Sequence, residues 1–468
     1  MDQNKTQEEL NKVSFRDSLE DPETPPQKID KKLLTFFLKD SGWRALRVFF
    51  IVGGIRSGVN ILLKTLFHLR KKKPFQKDLL EAFIGKEVRG SCLFLGGFVF
   101  TWKFLSRILP IYHQKRTRLT DFLSGFIAGI FILAERSDRQ VSFSQQLSVR
   151  AAHSFFTSLS SKNIFTIPHA NSILFVLSTS QILYSYVIHH KTLPPSIYNF
   201  MVQQAQIPHS ILEVNRRVIS RQEIDVEAFT DLLKGMKATP NTINVISKLS
   251  PMPGVLPCVA YHPSLDSCTV TFFAKFSKVM KMILPVYAGL TFLPAIFLRF
   301  PLFKASPKEI LLKCTLGSIR SSAFLATLVS VYQLAICQIR SLGSIVGAKD
   351  HRAIYFLAAL VASIPAILIE KPSRRTELSL YAIPKAIDSL YRILYSKRWM
   401  FGVPHFEAFM FMVASGTTML YYQCEPEILS PLLRWVLDKL VGLRNTNSAT
   451  FKEKENAEEK QDLTERER

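Results

Sequence analysis

Residues 370–391 read EKPSRRTELSLYAIPKAIDSLY, and residues 135–156 read ERSDRQVSFSQQLSVRAAHSFF. Laid together without a gap, Glu135 meets Glu370, Arg139 meets Arg374 and Ser144 meets Ser379. Arg150 then meets Lys385, Ala151 meets Ala386 and Ser154 meets Ser389, an offset of 235 positions (Glu135 to Glu370) in a chain of 468. An offset of about half the chain predicts an internal duplication. The match continues beyond the boxes. Arg89-Gly90-Ser91 pairs with Arg320-Ser321-Ser322, Pro168-His169 with Pro404-His405, and Leu193 and Pro195 with Leu429 and Pro431. The offset drifts by only a few positions, as loop insertions in two homologous modules would produce.

Around the boxes lie eight apolar runs: 45–67, 90–109, 119–135, 170–188, 279–300, 321–342, 353–370 and 405–423. Several lack the polar face of a soluble helix and approach the roughly 20 residues needed to cross a bilayer. The expected fold class is all-α: a polytopic integral membrane protein of about eight transmembrane helices, with interfacial amphipathic helices beside them. Four crossings per copy is an even number, so the two four-helix modules are expected to be parallel rather than inverted. The expected divisions are a polar tail at 1–40, a first module at 41–199, a connector at 200–278, a second module at 279–444 and a charged tail at 445–468. Within the connector, SRQEIDVEAFTDLLKGM reads as a helix with Ser220 as N-cap, and Pro251, Pro253 and Pro257 then break regular structure. The segment reads as a linker. The formal charge of +23 fits basic loops flanking apolar helices. No nucleic-acid-binding motif accompanies it, so no nucleic-acid partner is expected. The polar start MDQNKTQEELNK fits neither a secretory signal nor a presequence, and an internal organelle address is expected.

Small residues at helical spacing mark close packing. Gly54 and Gly58 share one face of the first run, and Gly125 and Gly129 one face of the third. Arg56 stands among the first pair, inside an apolar run, where a charge must be paired or wetted. Asp121 and Glu407 are its expected partners. It reads either as part of a polar path or head-group site, or as a side chain snorkelling to the interface. In the later box Leu380, Ile383, Ile387, Leu390 and Leu394 fall on one side of a helix, with Lys385, Asp388 and Arg392 away from it. Two readings stand: a helix lying along lipid head groups, or an amphipathic helix docked on the protein. Pro384 is expected to kink or start it. Arg139, Arg150, Arg374, Arg375, Lys385 and Arg392 are, with Arg56, the candidates for lipid contact or a polar path.

The densest group of reactive side chains is PCVAYHPSLDSC, 257–268. Cys258, His262 and Cys268 are three ligands of the zinc-binding type, one short of a structural site, so no metal and no cofactor are expected. A disulfide between Cys258 and Cys268, or plain packing, are the other readings. His262 and Asp266 resemble only loosely the His-and-Asp pair of glycerolipid acyltransferases, which has four intervening residues rather than three. No nucleophile elbow, phosphate loop or paired metal-binding helix accompanies them, and the chain is expected not to be an enzyme.

Two stretches resemble a known family. The Cys-x-x-x-His-Pro-x-x-x-x-Cys pattern at 258–268 and RRTELSLYAIPKAIDSLY at 374–391 are similar to signatures of the transmembrane protein 135 family. More distantly, the four-helix modules resemble the superfamily of mitochondrial inner-membrane translocase channels and a small peroxisomal membrane protein. The resemblance implies an integral protein of a mitochondrial or peroxisomal membrane, linked to lipid and fatty-acid handling and to organelle membrane organisation, with no established reaction. Membrane lipids, anionic ones among them, and other organelle membrane proteins are the implied partners. The alternatives are a protein-translocation or channel component, and a lipid-modifying enzyme using the His262 cluster.

Overall fold

The computed structural model describes residues 31–71, 85–113, 117–248, 256–298, 306–346 and 352–441. The expected tails lie outside this range except for 31–40. Among the described residues there are fifteen α-helices and no strand. In chain order they are α1 (Lys31–Lys71), α2 (Lys86–Tyr112), α3 (Arg118–Ala128), α4 (Ser137–Ser161), α5 (Ala170–Val187), α6 (Pro195–Ala205), α7 (His209–Ile219), α8 (Val226–Gly235), α9 (Pro240–Ser247), α10 (Cys268–Leu298), α11 (Pro307–Val346), α12 (Ala353–Ile369), α13 (Pro372–Ser396), α14 (Phe406–Cys424) and α15 (Pro431–Val441). The eight apolar runs fall on α1, α2, α3 with the 3-10 turn Gly129–Ala134, α5, α10, α11, α12 and α14.

Local chemistry explains where helices start. Thr117 opens α3 with a reciprocal capping box to Thr120. Asp225 accepts from Ala228 N at 3.1 Å to start α8, and Thr239 accepts from Thr242 N at 3.2 Å to start α9. Proline occupies the first turn of α6, α9 and α13, where its missing N–H has no intrahelical partner to lose. Ser220, expected to start a helix, instead ends α7. Asp225 takes the capping role because its carboxylate reaches an unpaired N–H. Pro384 neither starts nor ends α13, which runs through it. The helix α1 starts at Lys31, inside the expected tail, and its Asp40 pairs with Arg44 at 3.2 Å and Arg107 at 2.8 Å.

The chain forms two compact units, 1–166 with 403–468, and 167–402. In unit 1, α1 packs on α2, α2 on α3, and α14 on both α3 and α4. In unit 2, α10 packs on α11, α11 on α12, and α5 on both α12 and α13. The packing orders correspond element by element, but the expected boundaries 41–199 and 279–444 do not match the units. The helix after each box, α5 or α14, completes the unit built from the other half of the chain.

The boxes correspond in atomic detail. Glu135 is buried and accepts from Ser91, with Arg139 3.5 Å away, while Gln140 donates to its carbonyl at 2.6 Å. Glu370 is buried and accepts from Ser321 at 2.9 Å, with Arg374 3.8 Å away, while Arg375 donates to its carbonyl at 2.9 Å. The chain leaves α4 through Asn163 and α13 through Arg398, both left-handed, and enters α5 through His169 and α14 through His405, also left-handed. Non-glycine residues rarely adopt that conformation, so its recurrence at matched positions is a shared backbone path.

Both box helices bury small residues. Ser144, Ala151, Ser154 and Ser158 form the buried face of α4; Ser379, Ala382, Ala386, Ser389 and Ile393 lie on that of α13. Ile387 and Leu390, expected on the docked side of α13, are exposed together with Tyr381, Tyr391 and Tyr395. Small side chains let α5 approach closely, and of the large ones only Leu380, on the expected side, and Ile393 are buried with them. On α12 the exposed residues Leu357, Val361, Ile364 and Leu368 likewise make one apolar stripe. Soluble monomers rarely expose such surface, whereas lipid covers it at no cost. Among the described residues three helical stretches are long and apolar enough to cross a membrane: Lys86–Tyr112, Cys268–Leu293 and Pro307–Arg340.

The connector is a folded layer rather than a linker. Helices α7 to α9 and the turn that follows bury Ile211, Leu212, Leu233, Ile246 and Leu256 completely, in one core with α5, α11 and α12. Apolar residues recur at every third or fourth position of these short helices, and that stripe supplies the buried face.

Candidate functional site

Unit 2 holds a partly open cavity of about 650 Å³. Phe175 and Leu183 of α5, Phe200 and Met201 of α6, and Phe324 and Leu328 of α11 are among its walls. From α13 come Leu378, Tyr381, Ala382 and Lys385. Their spacing of three, four and seven residues puts them on one helix face. The few polar groups on the lining include Gln204, Gln333, His262 and Lys385. Gln333 donates to the Ala205 carbonyl at 2.8 Å, and Lys275 donates to the carbonyls of Ala205 and Gln206 at 3.0 and 3.1 Å. These bonds satisfy the carbonyl end of α6 and hold it over the cavity.

Arg340 fastens the connector to α11. It is buried, and donates to the Leu256 carbonyl at 2.7 Å, to Asn215 Oδ1 at 3.2 Å, to Tyr261 OH at 3.0 Å and to Tyr355 OH. Its guanidinium also lies over the Tyr261 and Tyr355 rings, 4.6 and 5.4 Å from their centroids. Tyr355 in turn donates to Asn215 Oδ1 at 2.9 Å. Among the described residues no carboxylate pairs with Arg340, so neutral acceptors and ring faces carry its charge.

At the connector's end four side chains converge: Cys258, His262, Cys268 and Cys337, with ligand atoms within 4.8 Å of one another. None of the three cysteines is in a disulfide, and the Cys258 and Cys268 sulfurs are 3.9 Å apart. His262 Nδ1 donates to the Leu265 carbonyl at 2.6 Å, and its Nε2 lies 3.5 Å from Cys268 Sγ. Hydrogen bonds from Cys337 and His262 hold Cys258 down to a pKa of about 4, against its burial. Burial opposes a charged His262, but Cys258 and the Leu265 carbonyl raise its pKa nonetheless. Asp266 is not part of this group. Its Oδ1 accepts from Thr239 at 2.6 Å and Asn241 at 3.3 Å, so the acyltransferase-like pair with His262 is not assembled.

The other sequence-derived candidates are distributed as follows. Arg56 sits 3.8 Å from Glu87, not near Asp121 or Glu407; Glu87 also holds Arg136 at 2.5 Å and Arg139 at 2.6 Å. Arg150 donates to Ser430 Oγ at 3.0 Å. Arg374 donates to Ser321, Arg375 to the carbonyls of Leu368 and Glu370, and Arg392 to Asp388 at 3.1 Å. Arg374 thus ties α13 to α11, Arg375 holds the end of α12, and Arg392 pairs within α13. Of the later box's basic residues only Lys385 reaches the cavity. Gly125 and Gly129 lie against α14, where an added Cβ would meet Met419 Cβ, the Ser415 carbonyl or Met412 Cα at 2.8 Å. Gly54 and Gly58 face open space, because Gly53 and Ser57 carry that contact instead. Sequence reading missed Cys337, Arg340 and Gln333. A signal was present: Gln333, Cys337 and Arg340 stand at i, i+4 and i+7 within an apolar run, one face of a helix.

No solved structure matches this chain. Residues 259–395 match the family model for the N-terminal cysteine-rich region of Transmembrane protein 135. The matched span holds three of the four clustered side chains, the Arg340 clamp and almost the whole of α13. Over these residues the chain is similar to the transmembrane protein 135 family, and its apolar helices mark it as a membrane protein.

Proposed function

We propose that the protein is a non-enzymatic component of a mitochondrial or peroxisomal membrane that binds fatty acyl lipids in unit 2 and supports their handling or transport. The observation that carries this reading is the cavity. At about 650 Å³ it falls in the range of small-molecule sites, roughly 300–1,000 Å³. Its walls are aliphatic and aromatic, and Lys385 supplies one cationic group. An anionic amphiphile satisfies both features: the chain fills the apolar space and the head group meets the ammonium. Displacement of a fluorescent fatty acid from the purified protein in detergent tests it. Ala382→Trp, placed on the cavity wall, is expected to abolish binding. Lys385→Gln is expected to weaken it by about tenfold, since a charge-assisted hydrogen bond is worth about 1.5 kcal/mol. Binding unchanged by Ala382→Trp would remove the cavity from the account. Fractionation against marker proteins identifies the membrane.

The proposed arrangement in that membrane is eight crossings in two parallel sets. The exchange of α5 and α14 supports it, because one helix can take the other's place only if both run in the same direction. A tag at the C-terminus and a protease site in the connector are then on the same side, since an even number of crossings separates the tails and four precede the connector.

A further inference from the structure

We propose that Cys258, His262, Cys268 and Cys337 bind one zinc ion, which staples the end of the connector to α10 and α11. The inference rests on ligand geometry; His262, Cys268 and Cys337 also line the cavity, so the site lies in its wall. A tetrahedral site with Zn–S near 2.3 Å and Zn–N near 2.0–2.1 Å places neighbouring sulfurs about 3.8 Å apart and a sulfur about 3.5 Å from a nitrogen. Here the Cys258 and Cys268 sulfurs are 3.9 Å apart, and Cys268 Sγ is 3.5 Å from His262 Nε2. The fourth ligand atom, Cys337 Sγ, completes the group within 4.8 Å. The imidazole is already oriented. Its Nδ1–H is committed to the Leu265 carbonyl at 2.6 Å, which leaves the Nε2 lone pair directed at the sulfurs. A ligating histidine is ordinarily fixed by such an outer hydrogen bond.

The donor set selects the ion. Three thiolates and one imidazole suit zinc and disfavour magnesium or calcium, which take oxygen ligands. Four protein ligands leave no open position, so the site is structural rather than catalytic. Its ligands come from the 3-10 turn Cys258–Ala260, the residues entering α10, and the body of α11. Short helical turns such as the first have little core of their own, and a metal crosslink supplies what packing does not. His262 and Cys337 are buried, and Cys258 and Cys268 are half-buried.

The test is metal analysis of the full chain purified in mild detergent with reductant. One zinc per chain is expected. Cys337→Ser and His262→Ala are each expected to lose most of it, whereas Cys314→Ser, on the same helix as Cys337 but outside the group, is expected to keep it. Should the Cys337 and His262 variants not fold, the wild-type protein decides. A mercurial reagent should release the zinc as thiols are titrated, and replacement by cobalt should give the thiolate charge-transfer and tetrahedral ligand-field bands. Protein that is reduced yet holds no zinc and takes up no cobalt overturns the site. So does a folded Cys337→Ser variant with full zinc, or a Cys258–Cys268 disulfide in protein whose thiols were blocked before lysis.

Discussion

Single residues here show how the same amino acid takes opposite roles in neighbouring helices. Gly125 is pressed against the backbone of α14, and Gly54 faces open space. Gly125→Val is therefore expected to destabilise the protein by about 1–3 kcal/mol, the usual cost of overpacking. Gly54→Ala is expected to be neutral or slightly stabilising, because helix propensity improves with nothing in the way. Denaturation of both variants in detergent measures the contrast, and equal effects would show that spacing rather than contact governs. Both pairs have the same four-residue spacing, so this distinction was not legible in the sequence. Phase along a helix decides which face meets a neighbour, and for an all-round apolar helix composition does not fix that phase. The cluster was legible to the same partial degree. Cys258, His262 and Cys268 lie close in sequence, but Cys337 joins them only through the packing of α10 on α11.

At the scale of elements, the connector departs most from expectation, and Arg340 explains its attachment. Arg340→Met is expected to leave the Leu256 carbonyl and two tyrosine hydroxyls without their donor, at a cost of about 1–3 kcal/mol for each buried group left unsatisfied, while Asn215 Oδ1 keeps its bond from Tyr355. Arg340→Lys should rescue little, since an ammonium lacks the planar fork that reaches several acceptors at once. Limited proteolysis reads this out: cleavage between 200 and 260 should quicken in both variants while unit 1 is cut at its usual rate. The Arg was invisible as a clamp because its acceptors are a backbone carbonyl and neutral side chains, which no charge pattern reveals. The box helices were better legible. Their offset, charge pairs and helical nature could all be read from the repeat, but not which side is docked. Serine and alanine, not leucine, make most of the close face, because α5 and α14 approach nearer than large side chains allow.

For the whole molecule, the repeat disclosed the number of elements and their order but not their grouping. Sequence order assigns α5 to the first half; contacts assign it to unit 2. A fragment of residues 167–402 contains every helix of its unit, so it is expected to purify as a monodisperse, highly helical species. A fragment of 200–444 lacks α5 and carries α14 without its partners, and is expected to aggregate. Size-exclusion profiles and circular dichroism of the two decide between contact-based and sequence-based division. The exchange also has a consequence in time. A ribosome delivers α1 to α4 first, yet the helix that covers α3 and α4 begins only at Phe406. At about 5–20 residues per second, roughly 10–50 s of synthesis separate the end of α4 from the start of α14. Throughout that interval the half made first waits with an open seam, while the half made second can close as soon as α13 emerges. The nascent chain thus offers a long-lived, unsatisfied helical surface to whatever insertase or chaperone attends it, and a stop codon anywhere between Ile167 and Gly402 would make that vacancy permanent.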